Sequence, residues 1–135
     1  MTLETLHNTI RARFETQIAA ANNLPTQYDN DPTEPNKTAI WCRLTINLGG
    51  NFQNSIGSPH SNRLTRVGVM TAQLFNAVGK GDKDLLAMAD KIEAAFKNVA
   101  ASNAHFGVPK TIKVGRTETY WQLNVNCPFY ADTLG

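Results

Sequence analysis

Apolar and polar positions along the chain follow two periods, and the switches between them divide it into elements. Leu3, Leu6, Ile10, Phe14 and Ile18 recur every three or four residues, which predicts a helix over residues 2–21 with one apolar stripe. Thr2 is placed to cap it, Glu4 sits near the positive end of its dipole, and Asn22-Asn23 with Pro25 stop it. A brief extended piece is expected at Thr26–Tyr28. Residues 29–38 read as loop, because Pro32 and Pro35 restrict themselves and the residues before them. From 39 to 48 the period becomes two. Ile40, Cys42, Leu44, Ile46 and Leu48 face one side of a half-buried strand, and Trp41, Arg43, Thr45 and Asn47 face the other. Residues 49–62, rich in Gly, Ser and Asn and carrying the isolated apolar residues Phe52 and Ile56, read as a long loop or hairpin tip.

The next strand, 64–75, is apolar on both parities: Leu64, Met70, Ala72 and Leu74 on one, Val67, Val69 and Phe75 on the other. Such a strand is central or covered by a neighbour, and Gly68 within it signals a bulge or the close approach of another backbone. A second amphipathic helix spans 82–99. Asp82 is its N-cap, Leu85, Met88/Ala89, Ile92, Phe96 and Val99 form its core stripe, and Lys83, Asp90, Lys91, Glu93 and Lys97 lie opposite. Residues 110–115 and 119–130 form a closing hairpin about Gly115–Glu118. Trp121, Leu123, Val125, Cys127 and Phe129 alternate with Tyr120, Gln122, Asn124 and Asn126. Hairpin-linked strands with only two helices predict an α+β fold. The expectation is an antiparallel (mixed) sheet of about four strands with two amphipathic helices packed on one face, in a single domain over residues 1–135.

Composition narrows the function. The chain has 135 residues, enough to bury a core without a staple. Thirteen Lys+Arg against 11 Asp+Glu leave a net charge of +2, and only Arg63 and Arg66 cluster. A dedicated nucleic-acid binder shows a basic run or face, so this distribution argues against one. No apolar run approaches the ~20 residues of a membrane helix, and residues 1–16 are polar and helical in pattern, unlike a leader. A reducing compartment is therefore expected. Cys42 and Cys127 then read as free buried thiols, with a disulfide between them as the alternative.

Candidate chemistry is sparse. His7, His60 and His105 are far apart, no pair of Cys and His has metal-ligand spacing, and no nucleophile elbow, P-loop or dinucleotide fingerprint occurs. No catalytic residue, metal or cofactor is expected. Gly79-Lys80-Gly81-Asp82 before a helix could hold an anion on its amides or be a plain strand-to-helix turn. Trp41 and Tyr120, on polar parities, either anchor an interface or are covered by the first helix or a loop. Residues 49–62 are either a docking arm that buries Phe52 and Ile56 on a partner or a surface loop.

Taken in order, these elements carry a resemblance to a known family. The helix opens with Leu3-x-x-Leu6 spacing and is followed by Tyr28-Asp29-Asn30. Trp41-x-Arg43 lies on the first long strand, and Arg66-x-Gly68 and Gln73-x-Phe75 on the second. Gly79 and Gly81 lead to a helix with Ala89-Asp90-x-Ile92-x-x-x-Phe96, and Tyr120-Trp121 leads to Val125 and Tyr130. This pattern resembles the tail terminator proteins of long-tailed bacteriophages. The resemblance implies a structural virion protein and not an enzyme: an α+β subunit of a homo-hexameric ring that caps the head-proximal end of the tail tube. Such a ring stops tube polymerisation and offers the head-joining surface. Its implied partners are other copies of itself, the major tail tube protein and a head–tail connector or neck protein, with assembly in the host cytoplasm and no membrane. DNA would pass through the hole without specific binding. A head-completion protein of the neck and a nucleic-acid-binding accessory domain are the alternatives. Ring closure needs two different patches on each subunit. The residues expected to supply them are Phe52, Ile56, Arg63, Arg66, Trp41, Arg116 and Tyr120.

Overall fold

A computed structural model describes residues 3–22, 24–28, 40–53, 63–77, 79, 83–101, 104–117 and 120–134. The first helical run is α1 (Leu3–Phe14), a π-helical stretch at Glu15–Ala19 and a short α2 (Ala20–Asn22). The sequence explains the π turn. Leu6, Ile10, Phe14 and Ile18, all buried, are spaced by four, and an α-helix drifts about 40° with each such step. Widening the last turn, where the Ala20 N–H donates to the Glu15 carbonyl, keeps Ile18 and Ala19 on the stripe that began at Leu6. The second helix, α3 (Lys83–Phe96), buries Leu85, Ala89, Ile92 and Phe96 as its periodicity requires. It ends three residues before the predicted Val99. Asn98 turns the chain with φ 51°, a left-handed value that Asn tolerates. The expected caps Thr2 and Asp82 and the loop at 29–38 lie outside the described residues.

Seven strands form one mixed sheet: β1 (Thr26–Tyr28), β2 (Trp41–Gln53), β3 (Arg63–Ala77), β4 (Ala100–Ala101), β5 (Ala104–Phe106), β6 (Lys110–Thr117) and β7 (Tyr120–Leu134). The expectation of about four strands is corrected. The four long strands are those with a readable period, and β1, β4 and β5 are two or three residues long, too short to show one. The order is β1-β2-β3-β7-β5-β4, with β6 also pairing β7. All pairs are antiparallel except β1 with β2. β5 and β6 lie along the same edge of β7, opposite Ala131–Phe129 and Asn126–Tyr120 respectively. The strand predicted to be apolar on both parities, β3, is central.

Two further boundaries move. β2 continues through Gln53, so Phe52, placed in the anticipated loop, is a strand residue opposite Thr65. β6 continues through Thr117, and Gly115, predicted to open the turn, instead follows a bulge with φ 93°. The signal at Gly68 is explained by β2. A bulge between Leu48 and Gly50 presses the chain inward, and a Cβ on Gly68 would stand 2.5 Å from the Asn47 carbonyl oxygen and 2.8 Å from the Phe129 ring.

Both helices pack on one face of the sheet. Cys42, Leu44 and Ile46 of β2, Met70, Ala72 and Leu74 of β3, and Leu123, Val125 and Cys127 of β7 form one buried cluster with them. Each large buried side chain contributes on the order of 1.5–3 kcal/mol. The helices also lock to each other. The Arg13 guanidinium donates to the Ala95 carbonyl through Nε (3.2 Å) and Nη2 (2.7 Å), at the negative end of α3, and lies 5.6 Å from the centre of the Phe96 ring.

Candidate interaction surfaces

The other face of the sheet carries no helix among the described residues. Its centre is neutral and polar, with Thr45, Thr71, Gln73, Asn124 and Asn126 on neighbouring strands, and the Thr71 hydroxyl donates to Asn126 Oδ1 at 2.9 Å. Its two ends differ. At one, Trp41 stacks on Phe75 at 4.3 Å between ring centres, and Tyr120 meets both rings edge-on. The exposed Arg43 guanidinium lies 5.8 Å from each of the two stacked rings. Trp41 is only 3% exposed and packs against the strand residues Phe75 and Tyr120, on the face opposite the first helix, while Tyr120 stays half-buried.

At the opposite end lies an open, mostly apolar groove of about 760 Å³. Val67, Val69, Pro128 and Tyr130 line it, and His105 stacks on Tyr130 at 4.9 Å. This groove was not anticipated, although the apolar second parity of β3 was its signal.

The seven residues expected at interfaces do not form one patch. Trp41 and Tyr120 belong to the aromatic end, whereas Arg116 is exposed on β6 opposite Trp121, whose parity is that of the helix-bearing side. Arg66 belongs to the groove end, opposite Asn51 and Ala131, about 30 Å along β3 from Phe75. It points to the helix-bearing side, half-buried, and its Nε is enclosed with no hydrogen-bond partner among the described residues. Phe52 and Arg63 have described backbones on β2 and β3 but side chains outside the described residues, and Ile56 and most of the predicted arm lie outside them altogether. The rest of β6 is exposed as well. Lys110, Ile112, Lys113 and Val114 are all exposed beside Arg116, on a strand paired only with β7 among those described.

Titratable chemistry is muted. Burial pushes the Cys42 thiol well above its ordinary range, and burial with the neighbouring Glu93 carboxylate pushes Cys127 up to about 12. Both thiols are therefore protonated and inert at neutral pH. Cys42 stands opposite Leu74 and Cys127 opposite Met70, four residues further along β3. Two strand spacings and that offset separate them by roughly 16–17 Å, too far for the alternative disulfide, and both are free. Burial and the hydrogen bond to Glu15 hold the Tyr28 phenol above its usual pKa. Among the described residues no group of three or more His, Cys, Asp or Glu is placed to hold a metal ion. No helix among them is long and apolar enough to cross a membrane. Gly79 has φ 92°, while Lys80, Gly81 and Asp82, with the anion-site question they raised, lie outside the described residues.

Comparison with known proteins decides what class of protein carries these surfaces. The family model of the phage tail terminator protein matches residues 5–129. The chain belongs to the phage tail terminator family. Tail terminators are structural virion proteins, so this one is a component of a phage tail. No curated protein sequence matches it. One solved structure, of a protein whose name states no function, is similar with a TM-score of 0.65 and 14% identity over 93% of this chain and 94% of its own. At that identity the likeness is one of fold, and it extends across almost the whole terminator chain.

Proposed function

We propose that this tail terminator assembles into a closed homo-hexameric ring that caps the head-proximal end of the tail tube. The ring ends tube polymerisation, rests on the major tail tube protein, and presents its other surface to a connector or neck protein. The family match over residues 5–129 carries this reading. The fold supports it: a ring needs two unlike patches on each subunit, and one sheet here ends in unlike edges, the short β1 on one side and the long exposed β6 on the other. DNA passes through the hole without specific binding, in keeping with a net charge of only +2 and a helix-free face whose centre is uncharged. The whole chain acts as one unit of the ring.

The test is electron microscopy of tails assembled with and without the protein. Without it, tubes of unregulated, extended length are expected. Tubes of normal, uniform length would overturn the proposal. Normal tails beside defective heads would point instead to a head-completion role in the neck.

A further inference from the structure

Among the described residues, the helix-free face of the sheet is short of charge for a surface that meets water. Its centre, Thr45, Thr71, Gln73, Asn124 and Asn126, is half-buried and uncharged, with the aromatic end and the apolar groove on either side. The exterior of α3 in the same chain carries the exposed residues Lys83, Asp84, Asp90, Lys91 and Lys97, as a solvated surface does. A centre without charge, with Arg43, Lys110 and Asp132 kept to the periphery, is the composition of a protein interface. The face also has the size of one. At about 3.3 Å per residue and about 4.8 Å between strands, β2, β3, β7 and β6, of 13, 15, 15 and 8 residues, offer about 800 Å². A standard interface covers about 800 Å² on each partner.

The chemistry of the face selects its partner. Threonine, asparagine and glutamine side chains each donate and accept hydrogen bonds, so a surface made of them can satisfy a copy of itself. A charged surface laid on the same centre would lose its hydration and gain no counter-charge. The positions also repeat about one line. Thr45, Thr71 and Asn126 stand side by side on β2, β3 and β7. Val67 and Phe75 lie four residues to either side of Thr71, Arg43 and Asn47 two to either side of Thr45, and Tyr120 and Asp132 six to either side of Asn126.

We infer that two copies of this chain outside the tail pair through their helix-free faces, about a two-fold axis that crosses the strands at Thr45, Thr71 and Asn126. The axis reverses strand direction, so the apolar groove of each copy meets the aromatic end of the other across about 10 Å, the spacing of packed sheets. Arg43 then faces the neutral Asn47. The Tyr120 hydroxyl faces the Asp132 carboxylate, which accepts from the Thr65 hydroxyl at 2.6 Å and has lone pairs for further donors. Lys110, exposed at the rim opposite Asn126, meets its own counterpart where water and salt screen the two amines. An isologous pair is closed and does not grow, so unassembled copies are held as dimers of defined size. The pairing concerns copies outside the tail and does not depend on the ring reading.

Sedimentation of the full chain at high micromolar concentration should show a dimer. Isotope-labelled and unlabelled copies are then mixed, coupled with a short amine-to-amine reagent and mapped by mass spectrometry. Mixed-isotope Lys110–Lys110 links are expected, because the axis brings that residue to its own copy. Thr45 is the sharpest probe. Thr45→Lys alone and Thr45→Glu alone place like charges across the axis, and each should weaken pairing about tenfold or more with thermal unfolding unchanged. Mixed together, the two variants should pair at least as tightly as the unaltered chain. A monomer at every concentration would overturn the inference, as would unimpaired pairing by either variant alone. Links from Lys110 to Lys83, Lys91 or Lys97 in place of Lys110–Lys110 would overturn it too, since they mean a front-to-back contact. The capping role is read from tail length, which none of these measurements uses, so the two can fail separately.

Discussion

The two faces of the sheet are built from the same strands and meet different surroundings. On the helix-bearing face every central position of β2, β3 and β7 is apolar and buried, from Cys42 to Ile46, Met70 to Leu74 and Leu123 to Cys127. One residue along each strand, the other face reads Thr45, Thr71, Gln73, Asn124 and Asn126 in its centre, with Arg43 and an aromatic cluster at one end and an apolar groove at the other. The difference shows that the apolar contacts that hold the fold lie on one side of the layer. The covered face excludes water and holds the fold, and the open face and the β6 edge can change residue type with little effect on folding.

Substitutions can sharpen or break this division. Phe96→Ala, which removes a buried ring stacked near Phe14 and edge-on to Phe106, should cost about 3–5 kcal/mol in urea unfolding. A cost under about 1 kcal/mol would mean that the helix-bearing face is not the core. Trp41→Ala tests the exception on the open side and should cost about 3 kcal/mol in the isolated protein. If stability holds while assembly is lost, Trp41 belongs to an intersubunit contact. Gly68→Ala should cost about 1–3 kcal/mol, because the Asn47 carbonyl is backbone and cannot swing aside. Arg13→Met, which leaves the Ala95 carbonyl without its charged donor, should cost about 1.5–3 kcal/mol. Val69→Thr on the open groove should change stability by no more than about 0.5 kcal/mol.

The covered face also has a pH signature. Cys42 and Cys127 are held protonated above the ordinary value of 9.0. The unfolded thiols release protons first, so their stabilising contribution is complete below pH 9.0 and declines as pH rises above it. Native protein at pH 8 should therefore resist a thiol reagent that labels it fully in denaturant. Rapid labelling without denaturant would show that the strands open readily at Cys42 or Cys127.

How much of this was legible in the sequence depended on length and periodicity. The stripe from Leu3 to Ile18, the alternation from Ile40 to Leu48 and that from Trp121 to Phe129 each repeat often enough to define a face; their described positions pack into the core or against it except Leu48, which is 37% exposed. β4 and β5 offer two and three residues, fewer than a period needs, and they form because the Asn98 and Val99 backbone bonds to Gly107 and Phe106. The turn was placed over Gly115–Glu118, on a strand that runs through Thr117, because Gly115 relieves a bulge, a use of positive φ that looks the same in sequence as a turn. At the surface, Trp41 and Tyr120 had the right parity for an interface, but parity says nothing about a neighbour such as Phe75 on the next strand.

β7 follows every strand it joins, and it binds β3 along its whole length while holding β5 and β6 on its other side. During synthesis the two halves of the layer stay unconnected until Tyr120–Leu134 has left the ribosome. A nascent chain stopped at residue 119 would have both of its unpaired borders open to aggregation, so chaperone protection matters most in the seconds before the final stretch emerges.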